Sequence, residues 1–571
     1  MDLFLRLDNV LTEVVTSIFN VTLNVQASLW SSSKKREYGD FSTAISFLLA
    51  KEVKLSSREV AYSIACGLES FKTLFKDVSV ASGGFINVFL TNDTWSEFLA
   101  SVNDAAGDYG FLDIGHGVPL NLEFVSANPT GPLHLGHIRG AVIFDIFAEL
   151  LDKFGFSITR EYYINDAGKQ IDLLVYSVFV RFCEQLQGKE SANFPSNCYA
   201  GDYIRDIASY LISTFPNSVK DATELKNFSD SFREVILSLT MDMIRSDLTK
   251  LGIGYDCYVR EEELHKRNYI EKVIAVLDEK GYLGEEELPS PKGKAGDWVE
   301  RKQTVFLSTK FGDDTNRALR KADGSWTYFA SDVAYHYHKL ERGFRHMIVG
   351  LGADHAGYVK RLSGVVDALS GGDARIDIKL YNLVNLFRDG KPVKLSKRNG
   401  DLIRLEDILE SGITVNEIRF AMLTKSSEIV LDFDLDKFVS TSYDNPLFYV
   451  QYAHARCSSL LRKCEPSVNK CDAALLVENQ ERDLMVTLAK LPSLLQIIVV
   501  SGEVHKLTFY LHEVAEKFHA LWNAGMTKNK LRFIIEDKPE LTNARLILVK
   551  AVRRTLASVL KVMKIEPVER M

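Results

Sequence analysis

Two histidines that flank a leucine and a glycine, His134 and His137, stand where a short apolar run meets a long amphipathic one. The apolar run covers 119–125, and the apolar residues of 138–154 recur every three or four positions, which predicts a strand followed by a helix. Unpaired N–H groups and the helix dipole attract anions to the first turn of such a helix. Imidazole donors there would suit a phosphate, and Gly136 would let a flat base approach the backbone. The stretch favours a nucleotide site, although two histidines around a glycine also occur by chance.

A second basic motif, Lys394-Leu-Ser-Lys397, lies far downstream, between Arg388-Asp-Gly-Lys-Pro392 and Asn399-Gly400. Lysines on a mobile, glycine-containing loop can gather the charge that develops on a triphosphate. The alternative is a solvated basic loop, which is the usual state of a charge run. We interpret the two motifs as halves of one site, which requires the chain to fold back so that both face a single triphosphate.

The two motifs resemble the two halves of the ATP site of class I aminoacyl-tRNA synthetases. Further segments narrow the resemblance to the arginyl-tRNA synthetases, namely Glu123–Asn128, Tyr328–Tyr335, Gly352–Tyr358 and Asn385–Gly390. The similarity covers nearly the whole chain, from Tyr38–Ala44 to Asp444–Tyr452. Many members of that family have lost the first lysine of the second motif. This chain keeps it as Lys394, so the resemblance implies that Lys394 acts directly.

The resemblance implies a ligase that activates L-arginine with ATP to arginyl-adenylate and transfers it to the 3′ adenosine of tRNA(Arg). In-line attack places negative charge on the phosphates, so catalysis depends on positioning and electrostatics. His134 and His137 would donate hydrogen bonds to phosphate oxygens, and Lys394 and Lys397 would neutralise the terminal phosphates on a loop that Ser396 shapes. Mg²⁺ is expected to accompany ATP, and no carboxylate cluster marks a metal site on the protein.

Recognition of arginine requires carboxylates, because a guanidinium is planar, carries five donors and keeps its charge. By resemblance, Glu123 and Asp332 bind the guanidinium, Tyr328 adds a hydroxyl acceptor, and Asn128 holds the α-amino and carboxylate groups with help from Ser126. Two alternatives remain from the residues alone. Asp332 could cap a helix, and Glu123 could be an exposed strand residue.

Gly352-Ala-Asp-His355 follows the apolar run 347–351, which predicts a later strand of the sheet that ends at the nucleotide cleft. Asp354 and His355 are expected to reach the ribose or the adenine, as the corresponding residues of the family do. Alternatively, His355 caps the helix that follows and contacts no ligand.

Composition indicates a globular protein of three or four domains, with 571 residues of which 46% are hydrophobic and 25% charged. We expect no membrane association, because no run approaches the roughly 18 apolar residues of a membrane span. The first 20 residues lack the pattern of a signal or transit peptide, which favours a cytoplasmic protein, and we expect a monomer. The seven cysteines form no CxxC pair, so free buried thiols are expected and structural zinc is not.

The net charge of −7 does not by itself indicate a polyanion as partner. Residues 451–571, however, carry 19 Lys and Arg against 13 Asp and Glu, so the rest of the chain carries −13 and the C-terminal part carries +6. Binding to phosphate needs local rather than global positive charge. The asymmetry therefore indicates where a nucleic acid could dock.

Three domains are predicted along the chain. Residues 1–105 form an α+β domain that, by resemblance, contacts the tRNA elbow. In 106–440, alternating strands and helices predict an α/β catalytic domain with a doubly wound, Rossmann-type parallel sheet and insertions around 181–320. The histidine motif lies at its first crossover, where such sheets bind ligands. Residues 441–571 form an all-α bundle, with 484–500 and 541–562 as long segments, that by resemblance binds the anticodon.

Aromatic and basic residues alternate near the start of the C-terminal bundle, at Tyr443, Tyr449, Tyr452, His454, Arg456 and Arg462. Such a mixture suits stacking on unpaired bases, and core packing explains the tyrosines equally well. Two other functions compete with the leading one, namely a class I synthetase for another amino acid and a catalytically silent tRNA-binding paralogue. The absence of CxxC spacing disfavours the zinc-bearing cysteine and methionine enzymes, and the intact histidines and lysines disfavour silence.

Overall fold

The chain divides into two units. One comprises 1–114, 416–424 and 436–571, and the other comprises 115–415 and 425–435. The computed structural model describes residues 2–23, 28–33, 35–105, 109–188, 194–219, 222, 224–287, 302–321, 323–393, 403–466 and 471–571.

The N-terminal part of the first unit packs four helices around a four-stranded antiparallel sheet of order β1-β2-β4-β3. Its elements are α1 Leu3–Phe19, β1 Trp30–Ser32, β2 Phe41–Thr43, α2 Ile45–Val53, α3 Ser57–Leu68, β3 Phe75–Val80, β4 Ile86–Leu90 and α4 Asn92–Asp104. The Asp2 carboxylate accepts the amides of Phe4 and Leu5 and so caps α1. At the core, the buried Trp95 indole donates to Asp40 at 3.2 Å. The predicted α+β organisation of this part is confirmed.

The second unit is built on a five-stranded parallel sheet of order β12-β11-β5-β6-β7. Its elements are β5 Pro119–Glu123, α5 Leu135–Lys153, β6 Ser157–Ile164, α6 Lys169–Gln187, α7 Asp202–Thr214, α8 Pro216–Val219, α9 Leu225–Lys250, β7 Cys257–Arg260, α10 Glu261–Lys266, α11 Tyr269–Glu279, β8 Leu283–Glu287, β9 Lys302–Phe306, β10 Arg317–Ala318, α12 Tyr328–Glu341, β11 His346–Gly352, α13 Val359–Ser370, β12 Arg375–Tyr381, β13 Val384–Arg388, β14 Lys391–Pro392, α14 Leu405–Glu410 and β15 Leu431–Asp434. The first strand, β5, is central, so the predicted doubly wound parallel sheet is confirmed.

The fully buried Arg139 connects helix α5 to the segments around β13 and β15 by hydrogen bonds. Its guanidinium donates to four carbonyls, those of Asn382, Leu383, Ser426 and Ile429, at 2.7–3.2 Å. A buried guanidinium needs such acceptors because its charge cannot be removed by deprotonation. The contact fixes the start of α5 against the segments around β13 and β15.

The region 181–320 is only partly an insertion. It contains helices α7–α11 and a small antiparallel sheet of order β10-β9-β8, as expected, but it also contributes β7 to the central sheet. Four residues with one buried side chain make β7 too short for a recognisable apolar run. The segment Pro289–Gly296, which belongs to the predicted insertion, lies outside the described residues.

The C-terminal part of the first unit is helical, as predicted. Its helices are α15 Val415–Ala421, α16 Leu435–Val439, α17 Pro446–Lys463, α18 Asn479–Ala489, α19 Leu491–Ser501, α20 Lys506–Thr527 and α21 Pro539–Val562. The predicted segment 484–500 is divided between α18 and α19, with Pro492 at the start of α19.

One segment contradicts the expectation that no run approaches the length of a membrane span. Within the described residues, Asn479–Ser501 is long and apolar enough to pass as a membrane-spanning helix, and 67% of its most apolar window is buried inside the protein. Such burial is usual for a core helix of a globular domain. The expectation failed because the two apolar helices follow one another directly across Pro492.

All seven cysteines are free, as expected. The expectation that they are buried holds only for Cys457 and Cys471, whereas Cys66 is exposed and the other four are partly exposed.

Candidate functional site

Several of the predicted site residues that the structure describes follow the carboxyl ends of the parallel strands β5 and β11. Strands β5 and β11 are neighbours, with Val349 opposite Glu123, while the connection from β5 leads through α5 to β6 on the other side. The chain therefore leaves the two strands in opposite directions, which opens a crevice at their ends. The histidine turn follows β5, and Asp354 follows β11, so both border this crevice.

Helix α5 begins three residues earlier than the apolar pattern predicts, because His134 is its N-cap. The His134 Nδ1 accepts the Gly136 amide at 3.2 Å, so the proton of the neutral ring is on Nε2. The His134 and His137 rings stack at 3.6 Å between centroids. Burial lowers the pKa of His134, and burial together with the neighbouring His134 lowers the pKa of His137 to about 3. Both rings are therefore neutral hydrogen-bond donors at physiological pH.

The first turn of α5 offers fewer free amides than expected. The Leu135 amide donates to the Ile403 carbonyl at 2.8 Å, and the Gly136 amide donates to His134. These two N–H groups are therefore not available to a phosphate, and the imidazoles become the more important donors.

Lys394, Ser396 and Lys397 lie outside the described residues, and the chain resumes directly beside the histidine turn. His134 and Arg404 form an isolated antiparallel bridge next to the Leu135–Ile403 hydrogen bond. Lys397 precedes Ile403 by six residues, and six extended residues span at most about 20 Å. The length of chain thus permits the lysines to reach the histidines.

Strand β5 ends in a strained turn. Val125 has φ 67° and Ser126 has φ 38°, and the Ser126 amide donates to the Phe124 carbonyl at 2.9 Å in a γ-turn. A β-branched residue at positive φ is rare and costs free energy, so its neighbours must impose it. The Ser126 hydroxyl donates to Glu123 Oε1 at 3.0 Å and accepts the Tyr163 amide at 3.1 Å. The turn therefore orients the Glu123 carboxylate.

Glu123 is buried, so the alternative of an exposed strand residue is wrong. Its Oε2 accepts a hydrogen bond from the ammonium of Lys339 at 2.6 Å, and the Lys339 side chain is 0% exposed. The charge of Glu123 is thus balanced within the protein.

Asp332 lies in the second turn of α12, and the helix is capped by Thr327, so the capping alternative is wrong. Tyr328, four residues earlier on the same face, is 55% exposed. Burial and the nearby carboxylates of Glu261 and Glu123 raise the pKa of Asp332 to about 8. No described side chain donates a hydrogen bond to this carboxylate or lies within ion-pair distance of it. Asp332 therefore has no ion-pair partner among the described side chains, although the positive charge of Arg361 offsets part of the rise in its pKa.

Two further carboxylates at the strand ends were not predicted. Asp166 follows β6, is buried, and accepts hydrogen bonds from Arg260 and from the Glu262 amide. Glu261 follows β7, is also buried, and lies 3.5 Å from His265 Nε2. Glu261 was not predicted because β7 is too short to be recognised in the sequence. Asp166 could have been predicted, because the polar pair Asn165-Asp166 directly follows the apolar end of β6.

The remaining predicted ligands are accessible. Asn128 is exposed, and its amide donates to Gln170 Oε1 at 2.6 Å. Asp354 and His355 lie in a 3₁₀ turn after β11, and their side chains, 78% and 53% exposed, form an ion pair at 3.4 Å. Tyr358 occupies the N-cap of α13, so the alternative that His355 caps this helix is wrong.

The aromatic and basic residues of the C-terminal part divide between core and surface. His454 is buried and pairs with the Val568 carbonyl, and the Arg456 guanidinium lies over Tyr452 at 4.2 Å. Tyr443 is 56% exposed, with its ring 5.7 Å from that of Tyr449. Core packing therefore explains His454 and much of Arg456, whereas the Tyr443 ring packs on its neighbours at one side and is more than half exposed.

Known families match the three parts of the chain separately. The family described as tRNA synthetases class I (R), catalytic domain, matches 114–434, the arginyl tRNA synthetase N terminal domain matches 6–90, and the DALR anticodon binding domain matches 450–571. The fold and the site thus define a class I aminoacyl-tRNA synthetase.

Relatives make the assignment more specific. The arginine–tRNA ligase of Neorickettsia sennetsu is 88% identical over 571 residues, all of both chains, and that of Wolbachia pipientis wMel is 46% identical over 94% of this chain and 93% of its own. The structure of Thermus thermophilus arginyl-tRNA synthetase has a TM-score of 0.74 with full coverage of both chains, and its 20% identity supports the fold alone. The chain belongs to the arginyl-tRNA synthetase family, a ligase that uses ATP to join arginine to tRNA(Arg).

Proposed function

We propose that the crevice at the ends of β5 and β11 holds ATP and arginine side by side. His134, His137, Lys394 and Lys397 act on the phosphates, while Gly136, Asp354, His355 and Ser396 complete the ATP site. Glu123, Ser126, Asn128, Tyr328 and Asp332 bind arginine. The proposal depends most on the Asp332 carboxylate, which lies near Glu123 and Glu261 and has no ion-pair or hydrogen-bond partner among the described side chains.

The histidines stabilise the transition state as neutral donors. Each ring offers an N–H to a phosphoryl oxygen, and because the rings stack, the two donors keep a fixed relative orientation. Preorganised donors of this kind lower the barrier without reorganisation during the reaction. Lys394 and Lys397 supply the positive charge that neutral imidazoles lack.

Arginine binds with its guanidinium at Asp332 and Glu123 and its α-amino group toward Asn128. The guanidinium supplies an ion-pair partner for Asp332, and Tyr328, an exposed residue one turn before Asp332 on α12, adds a hydroxyl. A neutral amino acid would leave a buried carboxylate unpaired, and so would be rejected.

Mg²⁺ enters as part of the nucleotide substrate. Among the residues that the structure describes, no group of three or more His, Cys, Asp or Glu is arranged to hold a metal ion, so the triphosphate carries its own. We further propose that the enzyme works as a monomer in the cytoplasm, without membrane association. The domain limits of 1–105, 106–440 and 441–571 belong to the same proposal.

The tRNA binds through the first unit. Exposed aromatic rings on the N-terminal part, Phe47 and Phe85, lie 5.0 Å apart, and Lys51 follows Phe47 by one turn of α2. On the C-terminal part, the ring of Tyr443 is more than half exposed and precedes the basic segment 451–571. Aromatic rings among cations suit unstacked bases of the tRNA elbow and of the anticodon loop.

The direct test is ATP–pyrophosphate exchange with each amino acid, with and without tRNA(Arg). Arginine alone should support exchange, and tRNA should stimulate it, because the family generally activates arginine on the tRNA complex. Exchange with lysine at a comparable rate would contradict the proposed carboxylate pocket.

A further inference from the structure

Two buried carboxylates lie side by side in the central sheet. Glu123 on β5 and Glu161 on β6 are register partners in the parallel ladder, and they are 7% and 0% exposed. Like charges directly opposite each other on adjacent strands repel, and burial increases the cost. A sheet that retains both must therefore balance them with nearby cations.

Helix α12 supplies both cations. The Lys339 ammonium lies 2.6 Å from Glu123 Oε2, and the Arg342 guanidinium pairs with Glu161 Oε2 three residues further along the helix. Glu161 also accepts the Tyr335 hydroxyl at 2.6 Å and the Asn121 amide at 3.0 Å. Both Glu161 oxygens are thus occupied, whereas Glu123 Oε1 is held only by the Ser126 hydroxyl.

Two other carboxylates at the strand ends also have basic partners. Asp166 is paired with Arg260, and Glu261 with His265, whose pKa that contact raises. Asp332 is then the carboxylate of this group that has no ion-pair partner among the described residues. A cationic substrate that displaces its proton would supply that partner.

We propose that Lys339 is a positioning residue for arginine recognition, which holds Glu123 by Oε2 so that Oε1 is presented to the substrate. The inference rests on the proposed role of Glu123 in the arginine pocket. Because Lys339 already neutralises Glu123, the pocket selects a substrate with one positive charge spread over several donors. A guanidinium has five N–H groups in a plane and can serve two carboxylates, whereas an ammonium concentrates three donors on one atom.

The test compares Lys339→Met, which keeps the length of the side chain, with Glu123→Gln and with the double variant. Aminoacylation by Lys339→Met should show an arginine KM at least tenfold higher and an unchanged ATP KM. In the double variant a neutral amide faces a neutral thioether, so its arginine KM should equal that of Glu123→Gln within twofold. Arg342→Met is the matched control, because it breaks the adjacent buried pair and should lower Tm without raising the arginine KM.

The pH profile separates the role of Lys339 from that of Asp332. Without Lys339, Glu123 faces Glu161, with Arg342, His336 and Tyr335 as the other polar groups nearby, so its Oε1 is no longer held in one direction. The pH dependence of the arginine KM comes from Asp332, which is faced by Glu261, Glu123 and Arg361. Lys339→Met should therefore raise the arginine KM and keep the fall of that KM as pH rises toward about 8.

The outcomes are distinguishable. An unchanged arginine KM in Glu123→Gln would refute the proposed role of Glu123 itself. If Glu123→Gln raises the KM while Lys339→Met does not, or if Lys339→Met raises the KM of ATP equally, Lys339 is structural and the inference is wrong. Should Lys339→Met fail to fold, the double variant decides, since a KM well above that of Glu123→Gln would overturn the inference.

Discussion

Replacement of Asp332 by Asn separates charge from shape in the proposed arginine pocket. The asparagine keeps the volume of the side chain, but it cannot ionise to meet a guanidinium. In the free enzyme the pKa of Asp332 is raised to about 8 by burial and by the carboxylates of Glu261 and Glu123. Arginine must therefore displace a proton from Asp332 when it binds at neutral pH.

The magnitude follows from these two effects. A guanidinium about 4 Å from the carboxylate, at an effective dielectric constant of about 20, gains about 4 kcal/mol. Release of the proton at pH 7 from a group of pKa about 8 costs about 1.4 kcal/mol. The difference of about 2.6 kcal/mol corresponds to an arginine KM raised by about two orders of magnitude in Asp332→Asn.

The assay is aminoacylation of tRNA(Arg), with the arginine KM and the ATP KM measured from pH 6.5 to 9. In the unmodified enzyme the arginine KM should fall as pH rises and level off above about 8, whereas in Asp332→Asn it should be high and independent of pH. The ATP KM should not change. Equal effects on arginine and ATP, or a variant that keeps the pH dependence, would remove Asp332 from the pocket.

Asp332→Asn should weaken arginine binding but make the folded protein more stable at alkaline pH. The folded pKa of Asp332 lies above its ordinary value of 3.8, so the stability linked to its protonation is complete below pH 3.8 and is lost as pH rises through about 8. Asparagine does not titrate. The Tm of Asp332→Asn should therefore exceed that of the unmodified enzyme at pH 8.5, and the difference should shrink toward pH 5, as expected where function is maintained at the expense of stability.

Three further perturbations test the phosphate site and the tRNA surface. His137→Asn removes one preorganised donor and should lower kcat by about 100-fold with little effect on the arginine KM, measured by aminoacylation. Lys394→Ala should lower the rate of pyrophosphate exchange more than it weakens ATP binding, because the lysine acts on charge that develops in the transition state; a purely ground-state effect would contradict its direct role. Tyr443→Ala should raise the tRNA KM about tenfold, since stacking on one base contributes about 1–3 kcal/mol, while Val477→Ala, at another exposed position of the same unit, should not.

The order of the elements and the position of the site were predictable from the sequence because both depend on local patterns. Apolar runs such as 119–125 form the buried strands, and the helical spacing of 138–154 predicted α5, although nearly all of that helix is buried rather than one face. The start of α5 was placed three residues late because histidine is not a usual N-cap, and its role depends on the Nδ1 contact with Gly136. Strand β7 was missed because four residues carry too little periodicity.

Contacts between residues far apart in the chain could not be predicted. Nothing near Glu123 in sequence reveals that Lys339, more than 200 residues later, neutralises it, and without that partner the strand position looked exposed. The positive φ of Val125 likewise contradicts the preference of a β-branched residue, and the hydrogen bond from the Tyr163 amide on β6 to the Ser126 hydroxyl is a distant contact that helps to impose it.

Glu123 and Asp332, which the family resemblance assigns to the same guanidinium, are therefore physically different. Glu123 is already paired with Lys339, so it contributes a fixed acceptor direction and little net charge to the substrate. Asp332 is unpaired, and it contributes the charge but must first lose a proton. Loss of Glu123 should then cost arginine affinity in a way that hardly varies with pH, whereas loss of Asp332 should abolish the pH dependence, so the pH profiles of the two variants distinguish orientation from charge at one pocket.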